Sequence, residues 1–204
     1  MRRGGPGAYT QQRTAGPSPT DCEYFGLNTV EKYLLISASG IAIAGAVQDV
    51  RGGRIPNWLT YPAMVLALTV RGAAGGWPGL KSGLGGFLLA GGIFFFLFVL
   101  GGMGGGDVKL MAAVGAWAGD VRVTAILIAA AIAGGVLAVI YTISRKQLWL
   151  TLLNTGELLR HHMTSGLTPH PVLNVREPST MRVPYGLAIA MGTLYCAGNA
   201  FWWR

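Results

Sequence analysis

The chain has 204 residues, of which 51% are hydrophobic, 12% charged and 32 glycine, about half the share of charge that a soluble domain carries. Its apolar residues gather in runs that approach or reach the ~20 residues needed to cross a hydrocarbon core, which excludes an ordinary soluble globule and gives an all-α, polytopic integral membrane protein. The net charge of +8 comes from Lys and Arg standing singly or in pairs, the pattern of residues that set topology and meet anionic lipid headgroups, so nucleic acid is not an expected partner.

Residues 1–30 open with MRRGGPGAYTQQRTAGPSPT. This leader is rich in Gly, Pro, Ser and Thr and has no apolar segment close behind its arginines, so it is expected to be disordered and not a cleaved signal peptide. A membrane domain is expected over residues 31–204. Its first span, YLLISASGIAIAGAV, covers 33–47 and, being short, should begin nearer Leu27. A polar turn leads to a second span over 57–70, where Pro56 fits a helix start and Trp58 and Tyr61 suit the headgroup level. A loop with Arg71, Gly75, Gly76 and Pro78 precedes the third span at 84–100. The glycine tract GGMGGGDVKL (101–110) follows, then a fourth helix at 108–119, a turn at 120–122 and a fifth span at 123–144, about 33 Å long. Residues 145–182 form a long polar loop with an amphipathic, interfacial helix expected at 147–160, and a last span runs over 183–203. The total is about six transmembrane helices.

Lys and Arg near helix ends orient these spans. Eight of them fall on the side that holds the 49–57 turn, the glycine tract and the 145–182 loop, against five on the other side, leaving aside the leader. That places the first side in the cytoplasm. Between Lys32 and Arg145 the only acids are Asp49, Asp107 and Asp120. Counting spans puts Asp49, after the first, and Asp107, before the fourth, at one face of the membrane, with Asp120 at the other. Ionisable groups at membrane depth are costly and mark function, and two neighbouring carboxylates can divide the work of acid and base. The alternatives are an interfacial role for Asp49 beside Arg51 or Arg54 and an N-terminal capping role for Asp107.

The segment Gly104, Gly105 and Gly106 ahead of Asp107 can take backbone conformations closed to other residues and admit an extended substrate chain. Elsewhere, at Gly91, Gly92, Gly134 and Gly135, helix packing is the expected use. No P-loop is present, and Cys22 and Cys196 form neither a zinc nor a redox motif. His161, His162 and His170 lack HExxH spacing, so no metal and no cofactor is expected.

Gly104–Gly105–Gly106–Asp107 resembles the GxGD signature of intramembrane aspartyl proteases, and Val108–Lys109–Leu110 is similar to the x-K-L that follows it in type IV prepilin peptidases. Asp49–x–Arg51–x–x–x–Ile55–Pro56–Asn57 resembles that family's first catalytic aspartate with its I-P-N, and Arg182–Val183–Pro184–Tyr185–Gly186 its proline–aromatic–glycine element. The resemblance covers roughly residues 33–203. It implies Asp49 and Asp107 as the catalytic pair, with Gly104, Gly105, Gly106, Lys109, Ile55, Pro56, Asn57, Pro184, Tyr185 and Gly186 as site backbone or substrate-binding residues. The implied activity is an aspartic endopeptidase of the prokaryotic inner membrane that cuts prepilin or pseudopilin precursors after a glycine, at the cytoplasmic face, alongside pilus assembly machinery.

The chain departs from longer members in lacking paired CxxC motifs and a cytoplasmic insert, and so looks like the short, peptidase-only forms of tight-adherence (Flp) pili or of archaeal preflagellin processing, with no methyl transfer. The rival from another class is a non-catalytic transporter or assembly scaffold, whose aspartates would bind cations or protons. It predicts internal repeats and mid-membrane polar residues, neither of which the sequence displays.

Overall fold

The computed structural model describes residues 29–144 and 184–202. The leader as far as residue 28, Cys22, the 145–182 loop with its expected interfacial helix, and the three histidines lie outside the described residues, while Thr29 and Val30, counted with the leader in sequence, open α1. Among the described residues five helices follow in order: α1 (Thr29–Gly52), α2 (Asn57–Val99), α3 (Gly105–Ala118), α4 (Asp120–Ser144) and α5 (Tyr185–Trp202). Three of them, α1, α2 and α4, are long and apolar enough to cross a membrane. The chain is an all-α, polytopic membrane protein.

α2 is not one rod. At Gly76 the backbone turns to φ 58°, ψ −147°, a left-handed conformation that favours glycine, and the chain folds back on itself. Leu68 then faces Gly83, and Arg71 faces Gly79 and Ser82. The loop expected over 71–83 is therefore helix on both sides of a single turning residue. Pro78 falls in the first turn of the second arm, where its missing N–H breaks no helical bond. With α2 counted as two arms, the described residues hold six helical segments. The boundaries differ in one respect that matters: α1 continues through Gly52 and α3 begins at Gly105, so Asp49 and Asp107 are both carried on helical turns.

Every residue of α3 from Leu110 to Ala118 is buried, as expected of a helix apolar all round. It packs on both α2 and α1, with α4 and α5 closing around it. Small residues make this possible. Gly86 of α2 and Gly115 of α3 cross so closely that a methyl group on either would run into the other's carbonyl, while large side chains such as Leu88, Ile93, Phe95, Ile128 and Ile132 point outward. Small inside and large outside is the packing of helices in lipid, where close backbone approach drives association.

At 14 residues α3 is only about 21 Å long, so its last carbonyls end in apolar surroundings and need donors. Arg71 supplies them. Expected in a loop among lipid headgroups, it is instead 6% exposed, and it donates from Nε and Nη2 to the Trp117 carbonyl at 3.2 and 2.9 Å. The Trp117 indole N–H donates in turn to the Ala63 carbonyl at 3.0 Å. At the same end Ser82 donates to Asp120 at 2.6 Å, and Arg122 pairs with Glu31. This polar layer anchors the end of α3 opposite to Asp107.

Candidate active site

α1 ends in a turn at Gly53, whose N–H donates to the Asp49 carbonyl at 2.8 Å and whose φ is 59°. The reversal brings Ile55 inward, 7% exposed, and leaves Pro56 extended ahead of α2 (φ −75°, ψ 144°). Ile55 seats on Gly106, where an added Cβ would lie 3.2 Å from the Ile55 Cβ. The turn that follows the aspartate-bearing end of α1 and the first turn of α3 are thus pressed together through a side chain on one and the lack of one on the other.

The glycine tract does not behave uniformly. Gly101, at φ 79°, is its left-handed member, whereas Gly104 has ordinary extended angles (φ −80°, ψ 146°). Met103, the tract's one side chain, is 9% exposed and belongs to the core that includes Ile55 and Leu110. It pins the loop while the glycines around it keep the loop's surface bare. Asp107 is the third residue of α3 and reaches back to accept the Gly104 N–H at 3.3 Å, the half of a capping box that the third helical residue supplies. Asp49 accepts from the other side of the molecule: the Gly186 N–H, in the first turn of α5, donates to its Oδ2 at 2.8 Å.

Both aspartates line one cavity of about 650 Å³, together with Arg54, Ile55, Gly104–Gly106, Pro184 and Tyr185. The two carboxylates share this cavity, one brought by the last turn of α1 and the other by the first turn of α3. Such a pair can hold one proton between two acids, leaving one to draw a proton from water and the other to give one to a carbonyl oxygen. Asp120 is far from them, at the Ser82 end. Among the described residues no three His, Cys, Asp or Glu side chains come together as a metal site.

Of the residues singled out in the sequence, Pro56, Asn57, Lys109 and Gly186 do not line this cavity. The Lys109 ammonium donates to Asn57 Oδ1 at 2.9 Å and lies 5.2 Å from the centre of the Tyr61 ring, tying the start of α2 to the turn that carries Asp107. Conversely, Phe98, Met103 and Tyr141 line the cavity without having stood out in sequence. Met103 alone had a signal, as the single side chain within five glycines. If the Lys109–Asn57 bond positions Asp107, Lys109→Met and Asn57→Ala should each lower kcat roughly tenfold, the size of an interaction of about 1.4 kcal/mol. The double variant should be no worse than either alone; losses that multiply would show that the two residues act separately.

A model of the type IV leader peptidase family matches residues 36–139, 104 of the 204 residues. No curated protein and no solved structure matches the chain. The matched stretch begins inside α1 and ends inside α4, so it takes in Asp49, the α2 hairpin, the glycine tract and Asp107. Aspartates from two separate helices meeting at one cavity, within a stretch that matches this family, lead to one conclusion: the chain belongs to the type IV leader peptidase family and is an aspartic-type peptidase of the membrane.

Proposed function

We propose that this enzyme removes the short leader of a prepilin-like precursor, cutting after a glycine at the cytoplasmic face of a prokaryotic inner membrane, with Asp49 and Asp107 as its catalytic pair. The observation that carries the reading is the meeting of these two carboxylates, 58 positions apart in sequence, on the wall of one cavity. All six helical segments cross or enter the bilayer in this reading, with the cavity on the side where Lys and Arg are in excess. A water held between the carboxylates attacks the scissile carbonyl. The bare backbone at Gly104–Gly106 lets the extended precursor lie against the site, and Lys109 steadies it through Asn57. Without CxxC motifs the chain carries out peptide cleavage and not methyl transfer.

The test is cleavage of a co-expressed prepilin-type precursor in membranes, with the new N-terminus read by mass spectrometry. A product beginning immediately after the leader glycine is expected, and a precursor left intact by well-inserted enzyme would reject the reading. The pH dependence supplies a second check. Because one carboxyl must be ionised and the other protonated, kcat/KM should fall on both sides of an optimum. A rate that stays flat from about pH 4 to about pH 9 is incompatible with a shared-proton pair.

A further inference from the structure

The two aspartates are not held alike, and the difference divides their labour. Resting on the reading above, we infer that Asp49 is the base of the pair and that Gly186 is the positioning residue that keeps it so. The first N–H groups of a helix have no partner within the helix, and in α5 one of these donors is supplied with an acceptor from α1, 137 positions away. The N-terminus of a helix favours an anion, through its free N–H groups and its dipole. Asp49 therefore sits where the carboxylate form is stabilised, with Oδ2 fixed at 2.8 Å from Gly186 N.

A side chain at this position would crowd the approach. A Cβ at position 186 would lie 3.0 Å from both the Cβ and Oδ2 of Asp49, and 3.3 Å from the Ala46 Cα. Asp107 also lies at a helix start, but its hold is looser, a 3.3 Å bond from the N–H of Gly104 just ahead of its own helix. Among the described residues, the other titratable groups lining the cavity with Asp49 are Asp107 on α3, Tyr141 on α4, Tyr185 on α5 and Arg54 in the α1–α2 turn. Of these only Arg54 is cationic, and it is exposed.

The chemistry then balances in two steps. Water gives a proton to the Asp49 carboxylate as its oxygen bonds to the scissile carbon, and the carbonyl oxygen takes the proton of Asp107, forming a gem-diol. In the second step Asp49 passes its proton to the amide nitrogen, the C–N bond breaks, and one diol hydroxyl returns a proton to Asp107. Both aspartates end as they began.

The pH dependence of kcat/KM tests this division. Gly186→Ala should move the acidic limb toward neutral pH by about one unit, the scale of one hydrogen bond lost from a carboxylate, and leave the basic limb in place. Gly104→Ala, whose Cβ would lie 3.1 Å from Asp107 Oδ2, should move the basic limb instead. The inference is overturned if Gly186→Ala shifts only the basic limb or shifts neither.

Should Gly186→Ala not fold, infrared difference spectra at the pH optimum read the division without turnover. The protonated-carboxyl C=O stretch should disappear in Asp107→Asn and persist, shifted, in Asp49→Asn; the opposite pattern overturns it. The spectra also separate the two levels of argument. A wild-type enzyme that leaves every prepilin-type precursor uncut defeats the proposed function, whereas a reversed infrared assignment in an enzyme that cuts defeats only the division of roles.

Discussion

Asp49→Asn and Asp107→Asn should each lower precursor cleavage by a factor on the order of 10³ or more, since each removes one half of an acid–base pair worth about 10²–10⁴ in rate. The substitution is well suited to the site. Asparagine keeps the shape of aspartate and an oxygen that can still accept the Gly186 or Gly104 N–H, so the first turns of α5 and α3 retain their partners. What is lost is the ability to exchange a proton. Melting of the detergent-solubilised protein should accordingly change little, because the Gly186 and Gly104 N–H groups keep an acceptor. Asp120→Asn is the internal control: that carboxylate accepts from Ser82 at the opposite end of the bundle, and cleavage should continue. Normal cleavage by either Asp49→Asn or Asp107→Asn, in protein shown to be inserted, would return that aspartate to a capping role.

The features legible in the sequence were those that depend on order along the chain. Apolar runs marked the helices, because a helix in lipid must be apolar for most of its length, and counting those runs put Asp49 and Asp107 at one end with no structural information. What stayed hidden depends on which helix faces which. Lys109 lies two residues after Asp107, and nothing in sequence says that its ammonium leaves the cavity for Asn57 and Tyr61. Arg71, flanked by Gly72, Gly75 and Gly76, reads as a loop residue; only the shortness of α3 creates the carbonyl that it serves. The glycines before Asp107 invited an argument from backbone freedom. At Gly106 the structure assigns them a different use, since the missing side chain there makes room for Ile55.

The same use of glycine, stronger and further from the chemistry, sets the second large effect. Gly115→Ala should destabilise the fold and reduce cleavage together, although position 115 is eight residues, about 12 Å, along α3 from Asp107. The added methyl meets the Gly86 carbonyl and the Ala90 Cβ, and neither can yield, one being backbone and the other itself a short side chain. α2 and α3 must therefore separate or shift, and in lipid no hydrophobic gain compensates for lost packing. Overpacking of this kind costs about 1–3 kcal/mol in a well-packed interior. Gly135→Ala makes the comparison decisive, because a Cβ there meets nothing within 4 Å, and in a helix the change to alanine should be neutral or stabilising by about 0.5–1 kcal/mol. Thermal unfolding in a mild detergent, with cleavage measured on the same preparations, reads both. Opposite signs at 115 and 135 would show that the close approach of α2 and α3 sustains the helix carrying Asp107. Equal losses at the two positions would mean that glycine matters here for backbone freedom, and the packing account of α3 would have to be abandoned.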